Sequence, residues 1–408
     1  MDLRYTLDEQ NFRRELAVWL ASEVPAHGAS PPSSDWDARR DYDTRWQRKL
    51  FDTGYAGINW PKQYGGRDAT LIEQLIYFEE IAKANAPYIG VNFVGVLHGG
   101  PTIMAEGSEE QKARHIQAIL SGEEVWCQGF SEPVAGSDLA SLQTRADRIA
   151  DDKSDPDGGH YVVSGHKIWT SFAQVADYCE LLVRTDPDAP KHRGISWLIM
   201  PMDLPGIEIR PLPTLEGEGE FSEVFLDNVQ IPVENRIGEE NDGWRVTNVT
   251  LRFERGTAFA SDMIHLQAFV LDLIRTAQKI TSHDGCAWDD RALRTEIGHL
   301  SGELESLWAM VKLSVCQARE SGVPGVGSSA VKLYYTDIYQ RITELGVRLL
   351  GRACLSRSDL GDRPSSLFLG RHFNAISLAI AAGTSQIQKN IIGERVLGQP
   401  KEPRPTTA

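Results

Sequence analysis

One stretch of the chain combines residue types that suit the wall of a ligand site. It reads WCQGFSEPVAGSD over residues 126–138, the pattern of a short apolar strand that enters a polar turn dense in small residues. Ala135 and Gly136 allow the backbone to approach a bound group closely, while Ser131 and Ser137 offer hydrogen bonds without bulk. The stretch predicts a wall for a polar ring system with several acceptors. A solvated turn between two strands is the alternative.

Two further stretches join the first to form a recognisable set. They read SGHKIWTS over 164–171 and AGTSQ over 382–386. The set resembles the acyl-CoA dehydrogenase family, with its Ser/Thr-Glu-Pro…Ala-Gly-Ser-Asp loop, its Gly-x-Lys-x-Trp-Ile-Thr segment and its Glu-Gly-Thr-Ser-Gln/Glu run. The joint occurrence is far more specific than any one motif. The resemblance covers nearly the whole chain, from Pro61 and the Tyr-Gly-Gly turn at 64–66 onward.

The resemblance implies an FAD cofactor. A flavin needs an aromatic stacking surface and hydrogen bonds to its ring heteroatoms, and Trp169 beside two hydroxyls supplies this combination; a Trp in the core of a sheet is the alternative. The residues implied to contact the cofactor are Gln128, Phe130, Ser131, Trp169, Thr170, Ser171, Thr384, Ser385 and Gln386.

The catalytic base departs from the commonest form of the family, in which the Glu that opens the third motif removes the proton. Here that position is Ala382, which accepts no proton. Some members, isovaleryl-CoA dehydrogenase among them, instead use a Glu that precedes an Arg in the first long bundle helix, where this chain has Glu254 and Arg255. The resemblance implies that Glu254 removes the α-proton and that the Ala382 N–H polarises the thioester carbonyl. A solvated helix carboxylate is the alternative for Glu254. Ser137, Arg255 and Gly383 are expected to bind substrate.

The implied reaction is the α,β-dehydrogenation of an acyl-CoA to the trans-2-enoyl-CoA, with electrons passed to an electron-transfer flavoprotein. The amino-acid sequences of the motifs are most similar to those of actinobacterial enzymes, some of which act in fatty acid or sterol side-chain β-oxidation. The implied assembly is a dimer or homotetramer of this chain, or a complex with a homologous subunit.

Two segments that contact the cofactor's phosphates in relatives are altered. An Arg-x-x-Phe-Gly element is missing after residue 275, and Gln-x-x-Gly-Gly is replaced by RLLGR over 348–352. Either the additional arginines replace those contacts, or the adenosine half is held differently. A flavin-poor structural subunit of a heteromeric acyl-CoA dehydrogenase is therefore the second hypothesis. A flavin oxygenase or nitroalkane-type oxidase is a third, disfavoured because no other base is evident.

Composition excludes other classes of function. The chain has 408 residues and a net charge of −15, so its surface should repel nucleic acid. Its five cysteines are scattered, without a CxxC pair, so neither a disulfide framework nor a metal site is predicted. The first residues lack the pattern of a signal peptide, and no apolar run reaches membrane-spanning length. We therefore expect a cytoplasmic protein without a membrane partner.

The elements that must position these residues follow from changes of hydrophobic period. Residues 1–123 are mostly helical in pattern, with a break at 25–35 and an N-terminal cap at Ser108. Short strand candidates separated by turn residues fill 124–240, and helical stripes fill 241–408, with a loop at 355–369 before the last helix. The sequence therefore predicts an α+β multidomain protein: an N-terminal helical domain, a middle antiparallel β-barrel or sheet domain, and a C-terminal four-helix bundle.

Overall fold

The computed structural model describes residues 5–32, 34–150, 158–215, 217–253, 259–282, 285–321 and 327–401. Its contacts divide the chain into two compact units. The bundle unit comprises residues 1–17, 71–84 and 255–408, and the sheet unit comprises residues 18–70 and 85–254. Parts of the N-terminal region are thus grouped with the C-terminal helices, and the domain boundaries at 123 and 240 remain predictions.

The sheet unit is built on an eight-stranded sheet. Its strands are β1 (Trp126–Gly129), β2 (Arg145–Ile149), β3 (His160–Ser171), β4 (Tyr178–Arg184), β5 (Ile195–Pro201), β6 (Ile207–Thr214), β7 (Gly217–Pro232) and β8 (Arg236–Ile237). The order is β6-β7-β3-β2-β4-β5-β8, and β1 pairs with β4 beside this path. A buried apolar cluster that includes Tyr161, Leu181, Leu198 and Ile231 forms its core.

The sheet differs from the prediction in two respects. Strands β1 and β2 run parallel to β4, so the sheet is mixed and not purely antiparallel. Strands β3 and β7, with 12 and 16 residues, are longer than the predicted segments because their antiparallel ladder continues through two register shifts. Local strand patterns end at Gly and Pro, whereas a ladder continues wherever a partner strand supplies hydrogen bonds.

Helices complete the sheet unit. They are α2 (Trp36–Asp52), α4 (Gly100–Glu106), α5 (Glu109–Ser121) and α6 (Gly243–Phe253), with a π-helical turn at Gly95–Gly99 before α4. The cap predicted at Ser108 is confirmed: its side chain accepts from the Gln111 N–H, and the Gln111 side chain accepts from the Ser108 N–H. The helix α1 (Leu7–His27) continues through Pro25, so the predicted break starts later than expected.

The bundle unit contains the long helical stripes. Its elements are α3 (Leu71–Lys83), α7 (Phe259–Lys279), α8 (Arg291–Ser321), α9 (Gly327–Leu350), α10 (Ser365–Leu378) and α11 (Ser385–Ile391), with a hairpin of β9 (Thr281–Ser282) and β10 (Gly285–Cys286). The predicted stripes are confirmed, since Leu266, Leu304 and Ile338 lie in one buried cluster. Burial of each such side chain contributes about 1.5–3 kcal/mol.

The C-terminal end of the bundle unit differs in detail from the prediction. The helix α10 begins at Ser365, inside the segment predicted as a loop, and α11 follows it. Within the ranges that the structure describes, no helix is long and apolar enough to cross a membrane.

Candidate active site

The first motif occupies the end of β1 and the turn after it. Gln128 lies on β1 and is half-buried, Phe130 is buried, and Ser131 is half-buried. The turn is closed by two hydrogen bonds between Glu132 and Ala135, N–H to carbonyl in each direction, at 3.1 and 3.0 Å. Ser137 is exposed two residues beyond.

A buried ion pair connects this turn to β3. Lys167 on β3 is fully buried, and its Nζ donates to Glu132 Oε1 at 2.8 Å and to the Phe130 carbonyl at 3.2 Å. The Glu132 carboxylate also accepts the N–H groups of Gln143 and Thr144, at 2.6 and 2.9 Å. The pair therefore fixes the turn to the sheet, a role that the motifs by themselves do not indicate.

The protonation of this pair follows from its surroundings. Burial lowers the pKa of Lys167, an effect that the charge of Glu132 opposes. Burial is the largest influence on Glu132 and disfavours its ionisation, but the charge and hydrogen bond of Lys167, with the hydrogen bonds of Thr144 and Gln143, together leave the pKa of the carboxyl below its usual range. We therefore expect both side chains to be charged at neutral pH.

The second motif lies at the end of β3, directly beside the first. The Ile168 N–H donates to the Ser131 carbonyl at 3.0 Å, so the structure brings the two predicted segments together. The register of β3 against β7 shifts between Lys167 and Thr170. Within this irregularity Trp169 has a left-handed φ of 62°, and the residue is 58% exposed. The alternative of a core Trp is therefore wrong.

The residues after Trp169 test whether this surface fits a flavin. Thr170 is buried, and its Oγ1 has no hydrogen-bond partner among the described residues. Buried hydroxyls are nearly always paired in folded proteins, so an unpaired one is a candidate to bond with a bound group. Several other described side chains share this feature, Thr144 and Trp197 among them. The exposed Trp169 side chain offers a flat surface on which a planar flavin ring would stack. The half-buried Ser171 adds a further hydroxyl, so the residues fit FAD.

The side chain of Gln128 is held by two residues that the sequence motifs do not include. Its Nε2 donates to Glu180 Oε1 at 2.7 Å and lies 3.1 Å from His98 Nδ1. Glu180 on β4 is fully buried, and His98 lies in the π-helical turn. The side-chain NH₂ is thus directed toward these two groups, which leaves the side-chain oxygen of Gln128, Oε1, to accept from a ligand. No pattern in the sequence links residues so far apart.

The third motif lies in the bundle unit, in the connection between α10 and α11. Ala382 adopts a left-handed φ of 50°, and Gly383 follows with a φ of 85°. Left-handed backbone is strained for a residue with a Cβ atom, and such strain concentrates at functional sites. The Thr384 Oγ1 accepts from the Ile387 N–H at 3.2 Å and caps α11. Ser385 is half-buried and Gln386 is exposed.

The predicted base lies outside the described residues. The helix α6 ends at Phe253, and both Glu254 and Arg255 fall in the undescribed segment 254–258. Of the predicted site residues, those between 128 and 171 are in the sheet unit, and those between 382 and 386 are in the bundle unit.

Comparison with known proteins agrees with this architecture over most of the chain. The acyl-CoA dehydrogenase N-terminal domain matches residues 6–123, the middle domain residues 127–229 and the C-terminal domain residues 241–397. The three matches follow one another in the order of the helical, sheet and helical segments of the fold.

Individual relatives match along their whole length. Acyl-CoA dehydrogenase IpdE1 of Mycobacterium tuberculosis is 32% identical over 401 residues, which are 97% of this chain and 99% of the relative. A chain of the ChsE4–ChsE5 complex from Mycobacterium tuberculosis has a TM-score of 0.83 and 32% identity, covering 98% of this chain and 100% of the other. A chain of the steroid ACAD Tcur3481–Tcur3483 has a TM-score of 0.80 and 29% identity, with 98% and 100% covered. The chain therefore belongs to the acyl-CoA dehydrogenase family, whose members are FAD-dependent oxidoreductases acting on CH–CH bonds.

Proposed function

We propose that this protein dehydrogenates an acyl-CoA thioester to the trans-2-enoyl-CoA and passes the electrons to an electron-transfer flavoprotein. The observation that carries the proposal is the exposed side chain of Trp169 on left-handed backbone, next to the turn of the first motif. Left-handed backbone is strained for a residue with a Cβ atom, and such strain concentrates at functional sites. A flavin ring accounts for the exposed side chain and the strained backbone together.

The residues proposed to hold FAD come from two parts of the chain. In the sheet unit they are Gln128, Phe130, Ser131, Trp169, Thr170 and Ser171, and in the bundle unit they are Thr384, Ser385 and Gln386. When bound, FAD supplies the acceptor for the hydride that leaves the β-carbon. The side-chain NH₂ of Gln128 is held by its two contacts, and the side-chain oxygen Oε1 would accept a hydrogen bond from a ring N–H. The serine and threonine hydroxyls would donate to ring heteroatoms.

The proton chemistry is assigned to Glu254. An α-proton of a thioester is removed only by a positioned base acting on a polarised carbonyl. Because alanine at 382 accepts no proton, we assign removal of the α-proton to the Glu254 carboxylate. We assign to the Ala382 N–H the hydrogen bond to the thioester carbonyl oxygen. The α-proton goes to Glu254, and the β-hydrogen leaves with its bonding electron pair as a hydride that bound FAD would accept, so the Cα–Cβ bond becomes double. Ser137, Arg255 and Gly383 are proposed to contact the substrate.

The substrate class and the partner subunit are guided by the relatives. One matched structure is named a steroid ACAD, and both matched assemblies are named as pairs of proteins. We therefore propose bulky acyl-CoA thioesters, steroid side-chain thioesters first among them, and assembly with itself or with a homologous subunit.

The reaction is tested by anaerobic mixing of the purified flavoprotein with straight-chain, branched-chain and steroid side-chain acyl-CoA thioesters. Loss of flavin absorbance with one of them, and formation of its enoyl-CoA, is the expected result. A protein that retains its flavin but is bleached by none of them, alone or with a homologous subunit, would contradict the proposal. Flavin near one per chain in protein expressed alone would exclude the flavin-poor structural subunit.

The role of Glu254 is tested with Glu254→Gln. We expect turnover of the thioester that bleaches the wild type to collapse while the flavin stays bound, because the amide cannot accept the proton. Glu234→Gln is the matched control, since Glu234 is an exposed carboxylate of the sheet unit and should keep wild-type turnover. Equal turnover in both variants would assign the proton to another group.

A further inference from the structure

The connection between α10 and α11 is held from within the bundle unit by a buried lysine. Lys332 on α9 is only 4% exposed, and its Nζ donates to the carbonyl of Ala381 at 2.8 Å and to that of Gly383 at 2.5 Å. Gln388 on α11 adds a neutral donor: its Nε2 donates to the carbonyls of Ala382 and Gly383, at 3.0 and 3.3 Å. The four contacts fix the carbonyls on both sides of Ala382.

The lysine contact determines the direction of one peptide N–H. The Ala381 carbonyl and the Ala382 N–H belong to the same peptide unit, and in a trans peptide these groups point in opposite directions. Because the carbonyl points at Lys332, the Ala382 N–H points away from it. Among the described residues no acceptor takes a hydrogen bond from this N–H. It is therefore a donor that the fold aims but does not use.

The charge of Lys332 also changes the strength of this donor. Burial lowers the pKa of Lys332, whereas its two carbonyl acceptors favour the ammonium form, so we expect it to be charged at neutral pH. A cation on a carbonyl oxygen draws electron density from the amide, and hydrogen bonds in such a chain strengthen one another. The amide N–H at the other end of the peptide unit becomes a better donor to a developing negative charge.

We propose that Lys332 is a positioning residue for the dehydrogenation: it aims and polarises the peptide between Ala381 and Ala382, so that the Ala382 N–H stabilises the thioester oxygen as negative charge develops there. The inference rests on the proposed function. The role of Lys332 differs from a purely structural one. A neutral side chain that filled the same space would keep the fold but would not polarise the 381–382 peptide. The contact also holds Ala382 in its left-handed conformation.

The test compares Lys332→Met with Gln388→Leu in the full-length flavoprotein. The first variant removes the charge from the 381–382 peptide, whereas the second removes neutral contacts to the same connection without touching that peptide. Three quantities are measured for each: flavin content with the melting temperature, the rate constant of flavin reduction by the thioester that bleaches the wild type, and the infrared C=O stretch of the matching 1-¹³C-enoyl-CoA bound to the enzyme.

For Lys332→Met we expect reduction to slow about tenfold to a hundredfold, less than the roughly 10²–10³-fold loss on removal of an oxyanion donor itself. The bound C=O stretch should move toward its value in free enoyl-CoA, with flavin content retained. For Gln388→Leu we expect a change of less than about threefold and an unshifted stretch, since the charge–peptide contact remains.

Several results would overturn the inference. One is a Lys332→Met protein with wild-type reduction and stretch, and another is an equal loss in both variants, which would mean that anchoring alone matters. If Lys332→Met does not fold, Lys332→Gln keeps a neutral donor at the site, and wild-type behaviour of that variant would overturn the inference equally. A wild-type flavin that no thioester bleaches would instead refute the proposed function, a failure visible before any variant is made.

Discussion

The ion pair between Lys167 and Glu132 allows the sharpest prediction about the architecture of the site. Lys167→Met keeps most of the side-chain volume but leaves the Glu132 carboxylate buried without its cation, while the Gln143 and Thr144 N–H groups still donate to it. At the N···O distance of 2.8 Å, two unit charges attract by about 6 kcal/mol at an effective dielectric constant of about 20. Part of this is offset because Lys167 no longer has to be desolvated, so we expect a net loss of about 3–5 kcal/mol in the free energy of unfolding.

The pH dependence of that loss provides a second signature. In the wild type the pKa of Glu132 lies below its usual value of 4.5, so its contribution is present at neutral pH and disappears as the pH falls through the lowered pKa. In Lys167→Met burial acts without its partner, and the pKa of Glu132 should rise above the usual value. The loss should therefore be greatest at neutral pH and shrink as the pH falls through the raised pKa.

The assay is urea unfolding of the protein, followed by tryptophan fluorescence, across a pH series. Arg145→Met is the matched control, because the Arg145–Asp147 pair lies on the same sheet with side chains 64% and 52% exposed, and it should hardly change the unfolding midpoint. The double variant Glu132→Gln/Lys167→Met removes both charges and should recover part of the stability. A loss below about 1 kcal/mol, typical of surface pairs, with no dependence on pH would refute the reasoning.

The other predictions concern single polar contacts in the sheet unit. Thr170→Val should leave the apoprotein as stable as the wild type or about 1 kcal/mol more stable, because an unpaired buried hydroxyl is removed, yet weaken FAD binding about fivefold to tenfold. Thermal melts and FAD titration of the apoprotein would check both, and unchanged affinity would contradict the role of Thr170 in cofactor binding. Tyr161, whose hydroxyl donates to Glu240 at 2.6 Å, has its pKa raised by burial to about 12, so an ultraviolet titration of Tyr161→Phe should lack one tyrosine ionisation near that pH that the wild type shows. The raised pKa also means that its stabilising contribution is complete below pH 10 and is lost as the pH rises toward 12. Glu180→Leu should remove one acceptor of the Gln128 NH₂ and cost about 1–3 kcal/mol, because a donor loses its partner, measured by the same melts; a wild-type melting temperature would argue against this contact.

Much of the fold follows from patterns that are local in the sequence. The stripes on α7, α8 and α9 were predictable because a helix repeats every 3.6 residues. The spacing of its own apolar residues therefore identifies the face that is buried. The cap at Ser108 was predictable for the same reason, since a capping box joins residues only three apart. The motifs at 126–138 and 164–171 likewise indicated a ring-binding surface from residue types alone.

The support of the site could only come from the tertiary structure. Glu132 meets Lys167, Gln128 meets Glu180, and Lys332 meets the carbonyl of Ala381 across separations of 35, 52 and 49 residues. A side-chain period specifies which face of an element is buried but not which polar group on another element it will meet, and the parallel pairing of β1 with β4 is hidden for the same reason. Buried charges and amides are tolerated only where the fold brings them a partner. These contacts therefore depend on the tertiary structure and cannot be predicted from the local sequence.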